Sequence, residues 1–82
     1  MNEEYKWKMY PGGRGVHRYY GLICRYHTHG YLVKDGRNHG GRWRVVKWFN
    51  QPEPLAVFKS NVTFEEASSA AKLILLSLKV NT

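Results

Sequence analysis

Thr63-Phe64-Glu65-Glu66-Ala67-Ser68-Ser69-Ala70-Ala71-Lys72-Leu73-Ile74-Leu75-Leu76-Ser77-Leu78 is the stretch on which the fold of this chain turns. Thr63 followed by Glu66 makes a capping box: each side chain takes up a backbone amide that the first helical turn leaves without a partner. Glu65 and Glu66 also stand at the positive end of the helix dipole. Behind the cap, Phe64, Ala67, Ala71, Ile74, Leu75 and Leu78 recur at helical spacing and form one apolar stripe that can cover a sheet. The chain ahead of it is rich in strand-favouring residues. The pattern therefore predicts an α+β, two-layer fold, an antiparallel sheet of three or four strands packed on one C-terminal helix. Toward the end of the helix, Leu73, Ile74, Leu75, Leu76, Leu78 and Val80 wrap too far round for a single seam. A deeply buried end accounts for this, and a homodimer contact through the helix is the alternative.

Working back from the helix, residues 55–59 read as a short strand. Gln51-Pro52-Glu53-Pro54 sets it off from the sheet, because proline cannot donate a ladder hydrogen bond. Residues 42–49 read as a strand that closes a hairpin, with the glycine-rich segment 35–41 as its turn. Residues 20–27 form a further strand, and 31–34 either extend it past a turn at Gly30 or make a short strand of their own. Residues 1–18 contain Pro11-Gly12-Gly13-Arg14-Gly15 and read as a flexible basic and aromatic arm, leaving 19–82 as a single β-β-β-α domain. For the aromatics of that arm, the alternative is that they fold back over the sheet or add an edge strand.

Charge is distributed unevenly over this frame. Residues 5–50 carry ten Lys/Arg against the single acid Asp35. Their net +9, with −2 from the first four residues and none from Gln51 onward, makes up the +7 of the 82-residue chain. A small domain with that balance is expected to meet a polyanion, nucleic acid first, and has too little bulk for a deep catalytic cleft. One unpaired cysteine, Cys24, the lack of a roughly 20-residue apolar run and the lack of a signal-like start lead to the expectation of a cytoplasmic protein with no membrane partner.

Side chains alternate across a strand, so residues 42–49 divide into Trp43, Val45, Lys47 and Phe49 on one face and Arg42, Arg44, Val46 and Trp48 on the other. The first set is expected to meet the helix, with Lys47 near an edge where its ammonium reaches water. The second is expected on an open face, where guanidinium groups can hold phosphates or guanine edges and Trp48 can pack on sugar or base. A solvated sheet face is the plainer account of the same pattern. Cys24, His27, His29 and His39 are usual zinc-ligand types, but Cys24 alternates to the face opposite His27 and His29 and no tandem paired-ligand spacing is present. No cofactor is expected. Catalysis has little support either: there is no supported Ser-His-Asp set, no phosphate-cradling glycine motif, and the adjacent Glu65 and Glu66 diverge.

Three short segments resemble the DNA-binding domains of plant ethylene-response factors. Tyr19-Tyr20-Gly21-Leu22 is similar to that family's opening Tyr-x-Gly-Val, Gly41-Arg42-Trp43 to its Gly-Lys-Trp, and Thr63-Phe64-Glu65-Glu66-Ala67 to its Thr-x-Glu-Glu-Ala. The order of elements also resembles the arm-site-binding domains of phage and transposon integrases. The resemblance implies a three-stranded sheet, backed by the helix, that lays its open face in the DNA major groove. Trp43 would then lie in the core, with Arg44, Val46 and Trp48 facing DNA. Tyr20, Ile23, Val46 and Trp48 stand where the plant family has Arg, Arg, Glu and Arg, so no sequence preference is implied.

The expectation from sequence is thus a small non-enzymatic DNA-binding protein, regulatory or accessory to recombination, with duplex DNA favoured. Its candidate contacts are Arg25, Arg42, Arg44, Lys47 and Trp48 on the sheet, Arg37 and His39 at the hairpin tip, and Arg14 and Arg18 in the arm. The alternatives are a module or inhibitor that binds an acidic protein such as a nucleic-acid enzyme, and RNA binding with bases stacked on Tyr20, Tyr26 or Trp48.

Overall fold

The computed structural model of the protein describes residues 4–80, including every side chain in that range except those of residues 39, 79 and 80. Five strands, β1 (Lys6–Gly13), β2 (Val16–Cys24), β3 (His27–Asp35), β4 (Trp43–Val46) and β5 (Ala56–Val57), lie side by side in chain order. Every neighbouring pair is antiparallel. A 3₁₀ turn, Arg37–His39, interrupts the β3–β4 connection, and one helix, α1 (Phe64–Val80), follows the sheet. This is the α+β, two-layer arrangement that the sequence predicts, with five strands.

The additional strand comes from residues expected to form an arm. Lys6 to Tyr10 pair residue by residue with Ile23 to Tyr19, Pro11 stands opposite Arg18, and Gly13 opposite Val16. The sheet therefore begins at Lys6, and the glycine run is the tight turn of a hairpin. Gly15 takes φ 70°, a left-handed conformation that glycine adopts without steric cost. The edge-strand alternative describes these residues.

The helix starts as its sequence dictates. The Thr63 N–H donates to Glu66 Oε1 at 3.2 Å, and the Glu66 N–H donates to Thr63 Oγ1 at 3.2 Å, closing the capping box. Ala67, Ala71 and Leu75 are fully buried against Leu22, Leu32, Trp43 and Val45, with Phe64 and Ile74 partly buried beside them. Burial of each leucine in this set stabilises the fold by about 2 kcal/mol. Close approach of helix to sheet depends on Gly30, which has φ +156° and where a Cβ would come within 2.6 Å of Leu75 Cδ1. Leu73, by contrast, is 72% exposed. No helix among the described residues is long and apolar enough to cross a membrane.

A candidate nucleic-acid interface

Cross-strand register assigns the two faces of the sheet. Met9, Tyr20, Leu32, Val45 and Ala56 form one row on the helix side, with Trp7 and Leu22 in the next and Pro11, Arg18, Lys34 and Trp43 in a third. On the opposite face, Tyr10, Tyr19, Val33, Arg44 and Val57 align, next to Lys8, Gly21, Tyr31 and Val46. Alternation thus holds through β4, with Trp43 and Val45 on the helix side and Arg44 and Val46 on the other.

That second face is largely filled by the protein itself. Val33 and Val46 are fully buried. Tyr10 stacks on Tyr19 at 5.0 Å between ring centres, and Phe49 covers Tyr19 at 4.6 Å and Tyr31 at 5.9 Å. Phe49 was expected on the helix side. It lies here because β4 ends at Val46 and the chain turns: the Gln51 N–H donates to the Trp48 carbonyl and the Lys47 N–H to Gln51 Oε1. Once ladder pairing stops, alternation no longer directs side chains.

Arg44 is also engaged. Its Nε donates to both oxygens of Asp35, at 3.0 and 3.1 Å, and both side chains are largely covered. The adjoining carboxylate offsets the charge with which this guanidinium would draw a phosphate. The open cationic face expected from the sequence is therefore an aromatic-filled face with one neutralised arginine.

The antiparallel order gathers the other cations at one end of the sheet. The β1–β2 turn and the β3–β4 connection lie at the same end, tied together by a hydrogen bond from the Gly36 N–H to the Gly15 carbonyl at 2.9 Å. Arg14 is exposed on the first of these turns, and Arg37 and Arg42 are exposed on the second. Arg18 and Lys34 stand opposite each other at the adjoining ends of β2 and β3. His17, Lys34, Asp35, Gly36, Arg37 and Gly41 line a surface recess there. Among the described residues, no carboxylate is hydrogen-bonded or ion-paired to Arg14, Arg18, Lys34, Arg37 or Arg42. Backbone position puts His39 at this end as well, and its side chain lies outside the described set.

Three of the candidate residues lie at the far end. Arg25 occupies the two-residue β2–β3 turn, with φ 59°, beside Tyr26, which is 98% exposed. Lys47 donates its Nζ to the His29 carbonyl at 2.9 Å, so the ammonium expected to reach water is held internally. Alternation puts Trp48 on the open face of a strand over residues 42–49. It sits instead on the turn after β4, 56% exposed. Lys34 carries no signal of its own in the sequence, because only the register of β3 against β2 and β4 gives its strand a face. Among the described residues, no group of three or more His, Cys, Asp or Glu is arranged to hold a metal, and Cys24 is buried with a free thiol.

Fold and charge together define the class: a small α+β meander with a filled sheet face and a cationic end built from two tied turns. No family model, curated protein or solved structure matches the chain.

Proposed function

We propose that this protein is a small, non-enzymatic binder of duplex DNA that grips the phosphate backbone with the cationic end of its sheet. The observation that carries the reading is the gathering of Arg14, Arg37 and Arg42 on two mutually hydrogen-bonded turns, with Arg18 and Lys34 at the adjoining strand ends and no carboxylate bonded to any of the five among the described residues. Like charges held together repel one another, and a polyanion relieves that repulsion while releasing its own counterions. Rings near this end are already occupied: Tyr20 packs on Phe64 at 4.4 Å, and Tyr10 on Tyr19 at 5.0 Å. Stacking of unpaired bases, the usual mode for single strands, has only the half-exposed Phe49 beside Arg14 to use here, whereas phosphates of a duplex need no ring.

A competition titration tests the proposal. Labelled duplex is displaced by unlabelled duplex, by single strands and by structured RNA, each at low and at raised salt. Duplex is expected to compete best, with an affinity that falls steeply with salt. Salt-independent binding, or a preference for single strands, would remove the proposal.

A further inference from the structure

We infer that Arg18, Lys34 and Trp43 form a phosphoryl-group site on the helix side of the cationic end. These three residues are consecutive cross-strand neighbours in one row over β2, β3 and β4. Arg18 Cζ lies 5.6 Å and Lys34 Nζ 5.1 Å from the centre of the same indole ring. Trp43 is 99% buried, and among the described residues its Nε1 has no hydrogen-bond acceptor and the buried Nε of Arg18 has none either. Buried donors are nearly always paired, so two orphans in one cluster are an exception that calls for a ligand. Arg18 Nη1 donates to His17 Nε2 at 3.1 Å.

Charge points the same way. Like charges directly opposite in a sheet destabilise it, and among the described residues the Trp43 ring offsets this pair in part while no carboxylate is bonded to either. Glu65 and Glu66 begin the helix whose Phe64 packs on Trp43, yet Glu66 is held in the capping box and neither carboxylate is bonded to Arg18 or Lys34 among the described residues. The cluster therefore offers an indole N–H, a guanidinium and an ammonium, all donors, from three strands. A tetrahedral oxyanion presents only acceptors, in several directions, and a phosphoryl group matches both the charge and the number of donors better than a planar carboxylate. The site needs only a phosphoryl group and does not depend on the duplex proposal. The group could come from free phosphate or from a nucleic-acid backbone.

Indole N–H resonances report directly on the site, and Trp7 and Trp48 serve as internal controls. Trp43→Phe identifies the Trp43 signal by its loss. Adding inorganic phosphate, with chloride at matched ionic strength as reference, is expected to move the Trp43 signal saturably and leave the other two in place. Lys34→Gln, a change at the surface rather than in the core, is expected to weaken that response by about tenfold, the loss of one charge-assisted hydrogen bond. A duplex without terminal phosphates, titrated in parallel, separates the sources. If it moves the same signal the group is a backbone diester, and if only inorganic phosphate does so it is a free anion; both results uphold the site. A Trp43 signal unmoved by phosphate, equal movement of all three indoles, or an unchanged response in Lys34→Gln would overturn it.

Discussion

Removing Arg42 and removing the Arg44–Asp35 pair should have different consequences, although the two arginines are close neighbours of the same charge and share a face by alternation. Among the described residues no carboxylate is bonded to the five cations at the sheet end, so a backbone-gripping mode that uses all of them gives a salt slope of about −4.5 in log affinity against log salt. Raising salt from about 50 to about 200 mM would then weaken duplex binding by roughly 500-fold. Arg42→Gln deletes one contact and should reduce the slope to about −3.6, which lowers the same salt effect to roughly 150-fold. Arg44 is ion-paired through its Nε to Asp35 at 3.0 and 3.1 Å, so the double variant Asp35→Asn/Arg44→Gln removes the pair without altering net charge. Its slope should stay at the wild-type value. Fluorescence anisotropy with a labelled duplex at several salt concentrations measures all three proteins. If the double variant loses as much slope as Arg42→Gln, or Arg42→Gln loses none, the division between free and neutralised arginines is wrong.

Three further predictions concern the frame that holds the cationic end. Gly30→Ala should destabilise the protein by about 2 kcal/mol through overpacking, because its Cβ would meet Leu75 Cδ1 at 2.6 Å. Thermal unfolding should show this as a drop in Tm of about 10 °C for a chain of this size, and an unchanged Tm would count against the helix seating on β3. Thr63→Ala, which opens the capping box, should cost about 1 kcal/mol, read from the urea midpoint with the m-value unchanged. Asp35→Asn alone leaves the part-buried Arg44 without its carboxylate and should cost about 2 kcal/mol. The double variant with Arg44→Gln should recover part of that loss, and equal stability of the single and double variants would argue against the ion pair as its source.

The helix and its cap were legible because both depend on short-range spacing: Thr63 and Glu66 are three residues apart, and the Ala67, Ala71 and Leu75 stripe repeats at four. Alternation was equally reliable for Trp43 to Val46, where β4 is paired. It failed at Phe49 and Trp48, since a strand's end is set by where its partner stops, and Tyr31 opposite Val46 is the last pair. Lys6 to Gly13 looked too glycine-rich and too short of apolar groups to order itself, and it does not: β2 orders it, by pairing whose register no local pattern reveals. The candidate site was half legible for the same reason. Composition marked the cations, but the meander's topology decides that Arg14, Arg18, Arg37 and Arg42 meet at one end, that Arg25 and Trp48 lie at the other, and that Lys34 joins the first group.

The central claim is that the cationic end, rather than the sheet face, meets the duplex. Amide chemical-shift mapping of the full chain during titration with a short duplex tests it most directly. Perturbations are predicted at residues 13–18 and 34–42. Perturbations centred on Tyr10, Tyr19, Tyr31 and Phe49, or on the turns at residues 25–26 and 47–50, would contradict the account.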